Sequence, residues 1–328
     1  MEKQISIIIP VYNGEQFIDK CLSSVVAQVA IDLEVIDVIV INDGSTDGSL
    51  GIMREYEANY PGIVRVIDQA NQGAANTRNN GVKLAAGKHL MFVDQDDFIN
   101  EDCCHVFYHE IEERQLDVVQ GGYALVAQDG SLIRRILPVN STFGHFLAIP
   151  AWAKIHRTSF LRSKNISFFV NNIGEDNVFT THEVLSTDKY GCIDYVGYNH
   201  LEDNQASVTN SLHKGLSREV NITNLLHRLI SLTPETPTMR HMLEYLTIRT
   251  AVYYLLLYGK FASPARFEAA YATIFQWLVR DLPFFSHNRY IWRKPAGEKV
   301  AAQLGIIIMI MVHKLRLVRV FARLYCKG

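Results

Sequence analysis

Short runs of β-branched residues alternate with helical spacings over the first 100 residues. Each run has the length and composition of a buried strand, and each ends in polar or turn-forming residues. This alternation predicts parallel strands joined by right-handed crossovers. The predicted strands are 5–9, 35–41, 64–67 and 89–93, and the predicted helices are 15–29, the stretch from the turn at 42–47 to about 60, and 74–86.

Polar clusters follow three of these strands directly, at 10–14, 42–47 and 94–97. In parallel sheets of this kind, ligands bind beyond the carboxyl ends of the strands. Because three strands deliver polar residues to one edge, we predict a ligand site there. The cluster at 42–47 also offers Ser45 or Thr46 as the N-cap of the next helix.

Beyond residue 100 the pattern loosens, and helices dominate from about residue 215. We place a domain boundary at 212, so that 213–328 forms a helical region. Between these regions the pattern predicts a helix from about 101, strands within 117–137, helices at 158–163 and 174–186, a strand at 190–198, and a helix break at Pro234 and Pro237.

Composition narrows the class of protein. The chain has 328 residues, of which 20% are charged, and its net charge of −2 gives no reason to expect a nucleic-acid partner. Five cysteines form no CxxC pair, which favours a reducing compartment. The apolar runs 5–11 and 306–312 are too short for a signal peptide core or a membrane span. We therefore expect a cytoplasmic protein, or one on the inner face of the cell membrane.

Carboxylates are concentrated at the end of the fourth strand, where Asp94, Asp96 and Asp97 lie within four residues. Crowded carboxylates repel one another unless a cation neutralises them, and oxygen ligands favour Mg²⁺ or Mn²⁺. The alternative is a solvated acidic turn before the next helix. Asp43 similarly offers an acceptor for a base or ribose, although a turn with an N-cap explains it as well.

Four blocks over residues 5–97 resemble, in order and spacing, the signature of family 2 glycosyltransferases. They read SIIIPVYNGE at 6–15, VINDGSTD at 40–47, NQGAANTRNNG at 71–81 and FVDQDD at 92–97. The resemblance implies an α/β protein with the GT-A fold, whose Rossmann-like, mostly parallel central sheet is flanked by helices. It also implies an inverting transferase that uses a nucleotide-sugar, with 1–100 binding the donor and 101–212 on the acceptor side.

The resemblance assigns donor contacts to individual positions. It implies that Pro10, Tyr12 and Glu15 line the nucleotide pocket. It further implies that Asp43 contacts the uracil or ribose and that Arg78 lies near the donor.

Asp94 and Asp96 match the DxD pair of the family. The match implies that Asp96 coordinates Mn²⁺ or Mg²⁺ on the sugar diphosphate and that Asp94 contacts the ribose, the sugar or the metal. A weaker match at 151–157 implies that Lys154 or Arg157 approaches the diphosphate, and a solvated basic turn is the alternative.

A further block at 174–179 resembles the family's Glu–Asp motif, whose aspartate acts as general base on the acceptor hydroxyl. Direct displacement at the anomeric carbon needs one such base and no covalent nucleophile. We predict Asp176 in this role, with Glu175 as the rival, and acids favoured by a helix N-terminus as the alternative.

One departure from the family lies between Tyr198 and Thr209, where Ser207 and Thr209 fit the pattern but its arginine is absent. His200 is the candidate replacement, beside the diphosphate or on the metal, and a plain surface histidine is the alternative.

The last 28 residues carry five basic residues and no acid, whereas the first 300 carry a net charge of −7. Basic and apolar positions recur at helical intervals over 301–328, which suits a helix on an anionic membrane surface. The alternative is a helix packed on the protein. A homodimer contact through the helices of 240–280, which contain the apolar aromatic stretch 253–258, is a third reading, although core burial explains that stretch more simply.

Together these features predict a glycosyltransferase that moves a hexosyl or N-acetylhexosaminyl group to a hydroxyl of a glycan or lipid-linked acceptor. The resemblance implies a UDP-linked donor and a role in surface-polysaccharide synthesis. One rival is a nucleotidyltransferase on a similar sheet, but residues 10–14 lack its glycine-rich phosphate loop. The other rival is a non-catalytic nucleotide-sugar-binding protein, which the retained carboxylates disfavour.

Overall fold

The computed structural model describes residues 2–202, 216 and 220–327. The chain folds as two compact units whose segments alternate along the sequence. The predicted boundary at 212 lies outside the described residues. The first unit contains Met1–Asn140, Ile149–Val170 and Ser186–Asp203, and the second contains Ser141–Ala148, Asn171–Leu185 and Asn204–Gly328.

A nine-stranded sheet forms the centre of the first unit, counted over the described residues. The strands are β1 (Ile5–Val11), β2 (Ile36–Asp43), β3 (Val64–Gln69), β4 (His89–Phe92), β5 (Phe98–Ile99), β6 (Val118–Val126), β7 (Leu132–Ile136), β8 (Lys154–Arg157) and β9 (Tyr190–Leu201). Their order is β3-β2-β1-β4-β8-β6-β9-β5, with β7 paired to β6.

The first four strands are parallel, as the alternation of strands and helices predicts. Val11 pairs with Asn42 and Asp43 pairs with Gln69, so these strands end at one edge of the sheet. Beyond β4 the sheet is mixed, because β8 runs antiparallel to both β4 and β6 whereas β6 and β9 are parallel. The predicted parallel arrangement is therefore found in β1 to β4, the strands that precede residue 93.

Helices cover this sheet and build the second unit. Those of the described residues are α1 (Ile18–Val26), α2 (Ser49–Asn59), α3 (Ala74–Leu84), α4 (Cys103–Glu113), α5 (Thr142–Leu147), α6 (Thr158–Ser163), α7 (Glu175–Ser186), α8 (Ile222–Ile230), α9 (Pro237–Gly259), α10 (Pro264–Asp281), α11 (Arg289–Trp292), α12 (Val300–Lys314) and α13 (Val318–Tyr325).

The two faces of β1 pack against different helices, because side chains alternate along a strand. Ile5, Ile7 and Ile9 share a core with α1 and α4. Ile8 points to the other face and packs under α3, at Gly81. The β-branched run that predicts the strand therefore also fills both layers of the core.

One local prediction is wrong. Ser45 and Thr46 do not cap α2, which begins at Ser49 after Gly48. The reason is that Ser45 Oγ accepts a hydrogen bond from the Asn13 backbone instead, so the turn is tied to the loop after β1.

In the second unit, side-chain caps and proline begin the long helices. Thr236 accepts a hydrogen bond from Met239 N just before Pro237, the first residue of α9, which explains the predicted break. Leu255, in the apolar stretch 253–258, is buried in the core of this unit. No helix in the described part of the chain is long and apolar enough to cross a membrane.

The C-terminal segment forms two helices instead of one continuous amphipathic helix. α12 ends at Lys314 and α13 begins at Val318. Arg316 lies between them with a φ of 57°, a left-handed conformation that a continuing helix excludes.

Candidate functional site

The loops that follow β1 and β2 are joined by hydrogen bonds at the carboxyl edge of the sheet. Asn13 N donates to Ser45 Oγ over 3.0 Å, and Thr46 N donates to Asn13 Oδ1 over 2.8 Å. Glu15 accepts a hydrogen bond from Gly48 N over 2.9 Å. Glu15 therefore links the two loops, at the position where the sequence predicts a pocket residue.

Gln95 connects the first of these loops to the aspartate loop, defined here as Val93–Asp97. Its Oε1 accepts from Tyr12 N over 2.8 Å, and its Nε2 donates to Tyr12 O over 3.2 Å. A Cβ on Gly14 would lie only 2.6 Å from Gln95 Oε1, so a larger residue there would displace the Gln95 amide. The Tyr12 backbone is thereby fixed while its side chain is exposed. Pro10, two residues earlier, lies in β1 opposite Ile41.

Asp43 is buried at the end of β2, and its carboxylate accepts three hydrogen bonds. Oδ1 accepts from Gln69 Nε2 and from Gln72 N, each over 2.8 Å, and Oδ2 accepts from Gly73 N over 2.9 Å. The Asp43 side chain therefore holds the loop that leads into α3.

Arg78 and Asp94 form an ion pair at the same edge. Arg78 Nη2 donates to Asp94 Oδ1 over 2.6 Å, and the guanidinium lies 5.5 Å from the ring of Phe168. The predicted donor-site residue Arg78 is thus beside the predicted DxD pair. Asp96, two residues after Asp94, is half-buried.

Asp97 differs from its neighbours because it is almost completely buried. It accepts from Tyr198 Oη over 2.6 Å and from Leu201 N over 2.9 Å, and His200 Nδ1 lies 3.1 Å away. Trp152 stacks on Tyr198 and on His200, with ring centroids 4.5 Å and 5.2 Å apart. Asp97 therefore anchors the aspartate loop to β9.

Burial opposes a charge on His200, but the hydrogen bond to Asp97 and the carboxylates around it raise the pKa of His200. Burial raises the pKa of Asp97 to about 6, because it also opposes a charge on this carboxylate. The hydrogen bond and the charge of His200 lower the pKa of Asp97 and offset part of this rise. Because Nδ1 of His200 faces Asp97, its Nε2 is the atom left for a ligand.

Two basic residues of β8 lie at opposite ends of that strand. Arg157 pairs with His89 at the start of β4, and its guanidinium donates to Leu116 O, away from the aspartate loop. Lys154 is buried at the other end of β8, which runs antiparallel to β4. Of the two alternatives, Lys154 therefore lies toward the edge where β4 ends.

Glu175 and Asp176 belong to the second unit, as the first two residues of α7. Gly174 precedes them with a φ of 75°, and a Cβ there would lie 2.5 Å from Leu225 Cδ2. Gly174 thus allows α7 to begin in close contact with α8. Ser207 and Thr209 lie outside the described residues.

The described side chains at this edge do not by themselves form a complete set of metal ligands. Among the residues that the structure describes, no three His, Cys, Asp or Glu side chains are grouped to hold an ion. Of the carboxylates at this edge, Asp94 pairs with Arg78, and Asp96 is half-buried.

The sequence analysis does not predict that Gln95, Trp152 and Tyr198 hold the loops of this edge in place. Gln95 stands inside the DxD block, but its partner Tyr12 is 83 residues away. Tyr198 and His200 share one face of β9, and only that two-residue spacing hints at a common partner.

The fold resembles those of solved glycosyltransferase structures, such as the following two. S. aureus TarS 1–349 in complex with UDP-GlcNAc gives a TM-score of 0.63 at 17% identity, covering 95% of this chain and 92% of that chain. Mannosyltransferase PcManGT from Pyrobaculum calidifontis, in complex with GDP-Man and Mn²⁺, gives 0.54 at 14% identity, covering 96% and 88%. The fold is therefore that of the GT-A glycosyltransferases, which confirms the predicted fold class.

The sequence comparison defines the family. A family model for glycosyl transferase family 2 matches residues 6–170, half of the chain, and the chain belongs to that family. Glycosyltransferase GlyA of Streptococcus pneumoniae is 30% identical over 208 residues, covering 58% of this chain and 29% of that protein. Poly(ribitol-phosphate) beta-glucosyltransferase of Bacillus spizizenii is 32% identical over 192 residues, covering 57% and 30%. The matched part thus spans less than a third of each relative.

Proposed function

We propose that this protein is an inverting glycosyltransferase that takes a sugar from a UDP-linked donor. The observation that carries the proposal is the meeting of Arg78, Asp94 and Asp96 at the carboxyl edge of a parallel sheet. Ligands of such sheets bind at that edge. The UDP and UDP-GlcNAc complexes of TarS, which has the same fold, support a uridine diphosphate donor.

Within this proposal, different residues at the edge bind different parts of the donor. Pro10, Tyr12 and Asp43 lie at the ends of β1 and β2, where the nucleoside is proposed to bind. Arg78 is the cation beside Asp94, and Lys154 lies toward the same edge. Glu15 acts through the loop contact with Gly48 described above.

A divalent cation fits the donor set through Asp96. Carboxylate oxygens suit Mg²⁺ or Mn²⁺, and both ions commonly complete their shell with phosphate oxygens and water. We propose Asp96 as the protein ligand, with Asp94 and His200 Nε2 as the further candidates. When bound, such an ion stabilises negative charge on the departing diphosphate. The Mn²⁺ complex of the Pyrobaculum mannosyltransferase supports a divalent cation at the donor.

The general base proposed for the acceptor hydroxyl is Asp176, with Glu175 as its rival. The assignment rests on the resemblance of 174–179 to the Glu–Asp motif of the family. Direct displacement requires a base that removes the hydroxyl proton as the bond to the anomeric carbon forms. The acceptor is proposed to be a glycan or lipid-linked sugar of a bacterial surface polymer, as the names of the related poly(ribitol-phosphate) and teichoic acid enzymes suggest.

Slow hydrolysis of the donor tests the base, because water then takes the place of the acceptor. We expect Asp176→Asn to lower the rate of UDP-sugar hydrolysis by about 10²–10⁴-fold, the contribution of a general base, while UDP still binds. Glu113→Gln, at an exposed position of α4, is the matched control and keeps the wild-type rate. If only Glu175→Gln abolishes hydrolysis, Glu175 is the base. Full activity in both variants would remove the base from this motif.

A further inference from the structure

Large apolar side chains face solvent on α13. Leu317, just before the helix, and Val320 and Leu324 within it are 44%, 54% and 83% exposed, at spacings of three and four. The rest of this helix is partly covered, since Ala322 on the opposite side is fully buried and the ring of Phe321, on the flank, packs on Phe267 of α10. The exposed apolar stripe is therefore additional to the face that attaches α13 to the protein.

A basic stripe lies beside the apolar one. Arg316, Arg319 and Arg323 each precede one of the exposed apolar residues by one position, and Lys327 continues the series. A step of one residue is about 100° around a helix, so within α13 Arg319 and Arg323 lie beside the exposed apolar residues. Among these cations, Arg319 lies 3.7 Å from Glu268 yet its side chain remains 83% exposed.

α12 adds a second apolar stripe. Exposed residues recur along it at spacings of three and four, from Val300 through Leu304 and Ile308 to Met311, and Leu315 follows in the turn. The same helix buries Ile306 and Ile310 in the core of the second unit. Two successive helices therefore leave apolar residues in water within a segment whose formal charges are all positive.

We propose that α12 and α13 dock this protein on an anionic lipid surface. Apolar side chains insert at the boundary of headgroups and acyl chains, and flanking arginine and lysine reach the phosphates. A second copy of the chain fits less well, because a two-fold pairing would place these cations against one another. The proposal does not depend on sugar transfer.

Sedimentation with vesicles tests the proposal on the full chain. We expect binding to phosphatidylglycerol vesicles, little binding to phosphatidylcholine vesicles, and weaker binding at high salt. The double variant Arg319→Gln/Arg323→Gln removes two surface cations, which predicts about 30-fold weaker partitioning. Val320→Ser/Leu324→Ser, or Leu324→Ser alone, removes the apolar anchor and leaves the buried face of α13 intact.

The matched controls lie on β7 of the first unit, which also exposes two apolar and two basic residues in succession. They are Leu132→Ser/Ile133→Ser and Arg134→Gln/Arg135→Gln, and both should bind vesicles like the wild type. An unchanged thermal midpoint checks that each variant is folded. The proposal is overturned if the wild type does not bind phosphatidylglycerol vesicles, or if the β7 variants lose as much vesicle binding as the α13 variants. It is equally overturned if the α13 variants abolish a dimer in light scattering but bind vesicles normally.

Discussion

Four aspartates at the carboxyl edge of the sheet differ in what their carboxylates contact. Asp43 and Asp97 are buried and accept several hydrogen bonds each, so they shape the loops. Asp94 forms an ion pair with Arg78, and Asp96 is half-buried. The sequence predicts all four from their place after strands. It does not separate the structural pair from the candidate ligands, because the donors to Asp97 come from β9, about a hundred residues later.

At the residue scale, His89 makes stability depend on pH. It is buried at the start of β4, with Nε2 3.2 Å from Glu112 Oε1, and burial lowers the pKa of His89 to about 4. A histidine with a lowered pKa contributes stability above its unfolded value near 6.5 and loses it as the pH falls toward 4. We therefore expect His89 to remove about 2 kcal/mol of stability between pH 7 and pH 5.

Urea unfolding at pH 7 and pH 5 measures this loss, and the difference within each variant is the quantity of interest. His89→Gln should show a smaller loss than the wild type. His109→Gln, at an exposed position of α4, should keep the wild-type loss. An equal loss in the wild type and in His89→Gln would show that His89 titrates normally.

At the scale of elements, the strands and helices before residue 93 follow from local pattern, and the β-branched runs of β1 and β2 are buried on both faces. Later elements depend on distant partners. β8 has four residues and β5 has two, too few for a periodic signal, and their pairing with β4 and β9 fixes them. The wrong N-cap at Ser45 has the same origin, because Asn13, 32 residues earlier, binds its hydroxyl.

Two helical glycines offer a matched test of packing. A Cβ on Gly81 of α3 would lie 2.5 Å from Ile8 Cγ2, whereas a Cβ on Gly51 of α2 meets nothing within 4 Å. We expect Gly81→Ala to destabilise the protein by roughly 1–3 kcal/mol through overpacking. Gly51→Ala should stabilise it by about 0.5–1 kcal/mol through helix propensity. Denaturant unfolding gives both values, and shifts of the same sign would contradict the packing of α3 on β1.

At the scale of the whole molecule, the two units share the chain in alternating segments. Residues 141–148 and 171–185 belong to the helical unit although they precede most of it in sequence. The composition shift that predicts a helical C-terminal region cannot reveal this, because these two short segments join that unit through contacts with residues far along the chain, such as Phe143 with Tyr245. The predicted donor residues thus lie in the first unit, and Asp176 lies in the second.

The central claim is that the edge after β1, β2 and β4 binds a uridine diphosphate through Asp96 and a divalent cation. Thermal unfolding with UDP, with and without Mn²⁺, tests it in the wild type, in Asp96→Asn, and in Glu55→Gln as an exposed control on α2. A ligand specific for the folded state adds about 2.7 kcal/mol at a hundredfold excess over its Kd. We predict a Mn²⁺-dependent stabilisation by UDP in the wild type and the control that Asp96→Asn lacks. Equal stabilisation of all three proteins, or none in the wild type, would contradict the account.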